Sequence, residues 1–299
     1  MSQSFFAVLI SNPARPAVTD AAIALASVAT DAGRRSRILA TDVAAELEIS
    51  GGDPMAIRAR IVEALAGAPI DVAVVPAEGR RKKLLIADMD STMIEQECLD
   101  ELAGVLGLKE QVSAITERAM NGEIAFEPAL RERVALLEGL PAAETVSRVL
   151  ANRMTLMPGA KTLLATMRAH GAYAALVSGG FTAFTGPISA TLGFHEHRSN
   201  TLLEEEGKLT GKVAEPILGK EAKLAALNDL IASRGLQAAE TLAVGDGAND
   251  LAMLGAAGLG VAYRAKPAVA EAAHVRIDHG DLTALLYLQG YAREEFVAS

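Results

Sequence analysis

Tryptophan is absent from this chain, and aromatic residues make up only 4% of it. The core must therefore be built from aliphatic side chains and alanine-rich helices rather than from stacked rings. Cysteine occurs once, as Cys98. A single thiol excludes an intramolecular disulfide framework and suits a reducing compartment. No apolar run approaches the ~20 residues that a membrane-spanning helix needs. The opening residues Met1-Ser2-Gln3-Ser4-Phe5 lack a basic segment followed by a long apolar one, so no signal peptide is expected. A cytoplasmic location is the resulting expectation. Positive charge is also in the minority, with 28 Lys and Arg against 37 Asp and Glu, a net charge of -9. That balance argues against a nucleic-acid backbone as partner. What is plentiful is apolar residues, 51% of 299, enough for one large domain or two modest ones.

The first 80 residues read as β-α-β-β-α-β. Residues 5–10 are a strand, and Val18, Ala22, Leu25 and Val28 recur at helical spacing. Two short strands follow at 36–40 and 43–49. Pro54 opens a helix with Ile57, Ile61 and Leu65 on one face, closed by Gly67. A strand at 70–75 ends at Pro76. This order predicts a small α+β ferredoxin-like domain over 1–80. The basic run Arg80-Arg81-Lys82-Lys83 then reads as a solvated linker into a second domain, 81–299.

That second domain begins on Leu84-Leu85-Ile86-Ala87, a run suited to a strand buried on both faces. It ends on Asp88-Met89-Asp90-Ser91-Thr92. From there to about residue 155 the pattern is helical. Leu99, Leu102, Ala103 and Leu106 share a face, then Val112 and Ile115, then Phe126, Leu130 and Val134, then Val146 and Val149. Such an insert is placed to act as a cap that excludes water during chemistry. An α/β rhythm resumes at Pro158-Gly159. A strand at 173–177 ends on Ser178-Gly179-Gly180, and Pro187 should shorten or kink the helix after it. His195-Glu196-His197 reads as exposed loop before a hairpin at 200–213. A helix at 220–233 leads to a strand at 241–244, ending on Gly245-Asp246-Gly247-Ala248-Asn249-Asp250. Strands at 258–263 and 274–277 and a helix at 281–288 close the chain. The expected fold is an α/β Rossmann-like parallel sheet with an inserted helical cap.

Parallel sheets gather ligands outside the carboxyl ends of their strands. Three such ends here carry Asp88 and Asp90, Ser178 and Gly179, and Asp246, Asn249 and Asp250. Asp88 and Asp90 lie so close that they repel unless a cation or proton intervenes. A Mg²⁺ site is the natural reading, with one acid free to act as nucleophile. Mg²⁺ favours one or two carboxylates plus phosphate oxygens, and the exposed glycine N–H groups suit phosphate. A balancing amine is still required. Lys223, one helix before the third of these strands, is the best candidate.

These residues resemble the four motifs of the haloacid dehalogenase superfamily of phosphatases: Asp88 to Thr92, Val177 to Gly180, Lys223, and Gly245 to Asp250. The longer stretches from Asp88 to Glu97, Ser178 to Thr182 and Gly245 to Leu251 resemble the branch of that family that hydrolyses O-phospho-L-serine in serine biosynthesis. The resemblance covers about 84–290. It implies that Asp88 attacks phosphorus and becomes an aspartyl phosphate. It implies that Asp90 first protonates the leaving oxygen and then activates water. Mg²⁺ would be held by Asp88, the Asp90 backbone carbonyl and Asp246, with Asp250 orienting that shell. Ser178, the Gly179 N–H, Lys223 and Asn249 would grip the phosphoryl oxygens. Glu97 would meet the substrate ammonium and Arg133 its carboxylate, a match suited to a bidentate fork. Met120 and Phe126 would close over the substrate. Met89 departs from the aromatic residue that many relatives carry there. The N-terminal pattern resembles an ACT-like regulatory domain, and because such domains pair, a homodimer is expected. Two other readings stay open: transfer of phosphate from or to another small alcohol, and an amino-acid sensor whose catalytic core is idle. The intact acids argue against the second.

Overall fold

The computed structural model describes residues 4–30, 35–120 and 123–298. Its N-terminal part is the expected ferredoxin-like unit. Strand β1 (Ser4–Ile10) is followed by helix α1 (Asp20–Thr30), β2 (Ser36–Ala40), β3 (Ala44–Ser50), α2 (Pro54–Ala64) and β4 (Asp71–Pro76). The strands form one antiparallel sheet in the order β2-β3-β1-β4. Asp53 caps α2 by accepting from the N–H groups of Met55 and Ala56, and Pro54 supplies a first turn with no N–H to satisfy. Period-two alternation splits the sheet between two cores. Phe5, Ala7, Leu9, Leu47 and Val72 face α1 and α2. Val8, Ile10, Ala73 and Val75 face the other way and join the main core of the C-terminal part.

The basic run is not a solvated linker. Arg80 is buried, its side chain 9% exposed, with Nη1 2.7 Å from Glu46 Oε2. Its guanidinium lies over the Phe6 ring at 4.4 Å and donates to the Tyr287 and Leu288 carbonyls. Arg81 pairs with Glu295, Lys83 with Glu240, and the Lys82 N–H donates to Gln289. Charge alone suggested solvent. Arginine also offers an apolar stem and a planar face, and its partners here lie far away in sequence. Arg80→Ala would leave Glu46, itself 4% exposed, with only the half-exposed Arg37 at 2.9 Å, and is expected to cost about 3 kcal/mol. Arg81→Ala, at a half-exposed pair, should cost under about 1 kcal/mol. Urea unfolding checks both, and equal small losses would refute the buried seam.

The C-terminal part opens with β5 (Leu84–Ala87). The cap follows as α3 (Cys98–Val105), α4 (Lys109–Met120), α5 (Phe126–Ala135) and α6 (Ala142–Arg153). Then come α7 (Ala160–Ala169), β6 (Tyr173–Phe181), α8 (Thr182–Leu192), β7 (Glu196–Asn200), the hairpin β8 (Leu202–Glu205) and β9 (Lys208–Val213), and α9 (Lys220–Arg234). The chain ends with β10 (Thr241–Gly245), α10 (Leu251–Ala256), β11 (Leu259–Tyr263), α11 (Pro267–Ala272), β12 (Val275–Ile277) and α12 (Ala284–Leu288). Six strands form a parallel sheet in the order β12-β11-β10-β5-β6-β7. Strand β5, which ends at Asp88, is therefore central, flanked by the two other motif-bearing strands.

Several expectations are corrected in detail. The strand after α7 does not stop at Val177 but runs through the glycines to Phe181. His195-Glu196-His197 is not loop. It leads into and begins the edge strand β7, where the His195 ring accepts from the Ala174 N–H and His197 meets the Thr185 hydroxyl at 2.9 Å. An edge strand needs little apolar content, so its sequence gave no strand signal. Pro187 does not end α8, because Phe184, Ile188 and Leu192 bury its inner face past the lost hydrogen bond. The cap joins the sheet through a two-stranded ribbon. Ile94 bridges Leu156, the Glu95 N–H donates to Thr155 at 3.0 Å, and the Met157 N–H donates to Met93 at 2.9 Å.

Candidate active site

Asp88 continues the register of β5, its N–H donating to the Val244 carbonyl at 3.0 Å. One carboxylate oxygen accepts from the Met89 N–H at 2.8 Å. The other lies 2.8 Å from Lys223 Nζ. Lys223 is 2% exposed and lies 2.6 Å from Asp250 Oδ1 as well. The second Asp250 oxygen accepts from the Gly247 N–H at 3.1 Å. A Cβ on Gly245 would stand 2.3 Å from Asp250 Cγ, so only glycine lets this acid reach back to the strand tip. Lys220, by contrast, has a side chain 70% exposed and is paired with Glu221. Lys223 is thus the amine at the site.

Asp90 sits in a tight turn. The N–H groups of Thr92, Met93 and Ile94 all return to the Met89 carbonyl, and Ser91 adopts a left-handed φ of 53°. That turn aims Asp90 at Gly180. A Cβ there would stand 3.1 Å from both Asp90 Oδ2 and Ser178 Oγ, so acid and hydroxyl converge on one point. Asp90 Oδ1 accepts from the Cys98 N–H at 3.3 Å. Cys98 itself is fully buried, as expected of a small apolar residue. Ser178 Oγ accepts from the Gly180 N–H at 2.9 Å. Asn249 lies in the turn beside Gly247, its Oδ1 2.3 Å from where a Gly247 Cβ would be.

The cap supplies the roof. Glu97 precedes α3 and accepts from the Ser91 hydroxyl at 2.7 Å. Arg133 on α5 donates to the Thr116 hydroxyl at 3.1 Å and lies in the field of Asp100, Glu97 and Asp90. Phe126 packs on Gly179 and Gly219, 3.5 Å from each missing Cβ. The side chain of Met120 lies outside the described residues. Sequence reading missed Asn200, which is 2% exposed. Its amide donates to the carbonyls of Gly179 and Leu218 and accepts from the Leu218 N–H at 2.7 Å. It thereby ties the Ser178 loop to the segment leading to Lys223. Its only signal was a polar residue between two strands.

The charges follow from this packing. Enclosure beneath the cap, then Glu97 and Asp88, push the Asp90 carboxyl well above the usual range. Asp90 keeps some accessible surface. Burial and the neighbouring acids raise Asp246 to about 7 and Asp250 to about 6. Burial opposes a charged Lys223, yet Asp88 and Asp250 outweigh it and raise the ammonium. One lysine does not neutralise this set. Oxygens of Asp88, Asp246 and Asp250 lie within 4.8 Å of one another, a donor set fit for a hard divalent cation. Asp250 has no exposed surface, which leaves Asp88 and Asp246 as the acids facing the cleft.

A central acid-tipped sheet, a buried lysine and a helical cap are the parts of a phosphoryl-transfer hydrolase. The chain belongs to the haloacid dehalogenase-like hydrolase family, whose model matches residues 85–255. Among curated proteins it is 39% identical to a phosphoserine phosphatase of Streptomyces coelicolor, over 97% of this chain and 72% of that one. It is 45% identical to the phosphoserine phosphatase of Albidiferax ferrireducens, over 69% of this chain and 89% of that one. Among solved structures it resembles a HAD family hydrolase of Salmonella enterica serovar Typhi. The TM-score is 0.84 at 30% identity, covering 95% of this chain and 98% of that one.

Proposed function

We propose that this chain is a Mg²⁺-dependent phosphoserine phosphatase that hydrolyses O-phospho-L-serine to L-serine and phosphate, the last step of serine biosynthesis. One observation carries the substrate class. Above Asp88 and Asp90 the cap brings a carboxylate, Glu97, and a guanidinium, Arg133. That pair is complementary to the ammonium and carboxylate of an amino acid whose phosphate points down at the sheet. The phosphoserine phosphatases named above support the same substrate.

Asp88 is the nucleophile. Its carboxylate attacks phosphorus and the serine oxygen leaves. Asp90, whose carboxyl is pushed well above the usual range by burial, Glu97 and Asp88, gives that oxygen its proton. As a carboxylate it then takes a proton from the water that cleaves the aspartyl phosphate, regenerating Asp88 and releasing phosphate. Ser178, the Gly179 N–H, Lys223 and Asn249 hold the phosphoryl oxygens. Asp88, the Asp90 carbonyl and Asp246 would hold Mg²⁺, with Asp250 behind them. When bound, the metal supplies positive charge against the nucleophile and the phosphoryl oxygens.

A panel of small phosphomonoesters, with and without Mg²⁺, tests this reading. Phosphoserine should be the preferred substrate, with free phosphate released only with the metal. Transfer to an alcohol instead of water would overturn the hydrolase assignment. Arg133→Ala should raise KM for phosphoserine at least about tenfold while sparing an ester that lacks a carboxylate. Equal effects on both would refute the carboxylate role. The same reading gives residues 1–80 an ACT-like regulatory role, places the enzyme in the cytoplasm and makes it a homodimer. The unpaired edge of β2, with Ile38 half-exposed, supports pairing, and a monomeric mass in solution would exclude it. Among the described residues no helix is long and apolar enough to cross a membrane.

A further inference from the structure

Asp71 stands at the start of β4, in the N-terminal unit, yet none of the backbone groups its carboxylate serves belong there. The residue is 5% exposed. Its Oδ1 accepts from the Asp278 N–H at 2.8 Å, and its Oδ2 from the Gly280 N–H at 2.8 Å. The His279 N–H reaches both oxygens, at 3.2 and 3.1 Å. Three consecutive amides thus close on one carboxylate, the arrangement of a backbone anion nest. Asn12, just after β1, adds a second tie by donating to the His279 carbonyl at 3.1 Å. Gly280 fits so closely that a Cβ would meet Ala284, Asp71 and Ile10 within 3.4 Å.

The clamped loop leads straight to the cap hinge. The Leu282 N–H donates to the Pro158 carbonyl at 3.0 Å. Gly159, at a φ of 84°, is packed against the same loop: a Cβ there would stand 2.7 Å from the Thr283 nitrogen. Asp281 accepts from the Thr283 N–H at 2.9 Å and fixes that turn. Met157, next to Pro158, is one rung of the ribbon that carries the cap, and Glu95–Thr155 is the next. Glu97 lies two residues beyond. A continuous chain of hydrogen bonds and backbone contacts therefore runs from Asp71 to the substrate side of the cap.

We propose that Asp71 is a positioning residue: by fixing the 278–280 backbone it anchors Pro158-Gly159, so the N-terminal unit sets where the cap sits over Asp88. Coupling through such a packed, hydrogen-bonded path is physically reasonable over this span. The kinetic half of the proposal rests on the phosphatase reading; the structural half does not. The test uses the full-length chain carrying Asp71→Asn, which keeps the size but turns an amide donor toward three N–H groups. Hydrogen exchange at the Glu95, Thr155 and Met157 amides should rise about tenfold, with amides of β10 unchanged. KM for phosphoserine should rise about fivefold while kcat changes less than about twofold. Asn12→Ala, at a partly exposed side chain, should give the same pattern at smaller amplitude, and carries the test if Asp71→Asn does not fold. Faster exchange at 278–280 with unchanged hinge amides and unchanged KM would overturn the proposal. So would a uniform rise in exchange across both units, which marks a purely structural role. If the wild-type chain does not hydrolyse phosphoserine but the hinge still responds to Asp71, the substrate reading falls and the coupling stands.

Discussion

Asp88→Asn is expected to leave no measurable turnover, a loss of at least about four orders of magnitude. The amide cannot attack phosphorus, and neither Asp90 nor Asp246 stands where Asp88 does. Asn can still accept from the Met89 N–H that now holds one Asp88 oxygen. It also removes one negative charge from a crowded set of acids. The variant should therefore melt close to the parent. Phosphate release and a thermal melt, measured together, decide the matter. A folded Asp88→Asn protein with substantial activity would remove Asp88 from its role.

Lys223→Met should damage both catalysis and the fold. The ammonium is 2% exposed and bridges Asp88 and Asp250, at 2.8 and 2.6 Å. Without it, Asp88, Asp246 and Asp250 face one another with the ammonium that bridged two of them gone. Breaking one side of such a pair costs about 3–5 kcal/mol. Activity should fall at least about 10³-fold, the scale for removing a preorganised charge from a developing anion. Added Mg²⁺ should recover part of the lost melting temperature, because its proposed site lies among the same acids. Lys220→Met, at an exposed side chain, should change neither quantity. Wild-type turnover by Lys223→Met would exclude Lys223 from the phosphoryl cradle.

The parts of the site that lie within a few residues of a strand end were legible in the sequence. Asp88, Ser178 and Asp246 each follow a buried apolar run, and a parallel sheet brings such ends together. Lys223 and Asp250 were legible through their motif spacing. Asn200 was not, because its work is to join two loops that meet only after folding. The linker failed for a related reason. Arg80 looked like surface charge until Glu46, Phe6 and the α12 carbonyls closed around it. Strand β7 carries Glu196, His197, Arg198, Ser199 and Asn200 at a sheet edge, where apolar periodicity is not required. Helices α10 and α11, of six residues each, are too short for a 3.6-residue period to register.

Among the described residues, both faces of the N-terminal sheet pack against apolar partners. Its inner side is taken by α1 and α2, and Val8, Ile10, Ala73 and Val75 on the other side share a core with Leu285 and Leu286. A trimmed enzyme that began at residue 81 would thus not be a simpler version of this one. It would uncover an oily wall on α12, lose the Arg80 guanidinium that donates to the Tyr287 and Leu288 carbonyls, and release the loop that Asp71 gathers. The small unit is better understood as the last wall of the catalytic body than as an attachment to it.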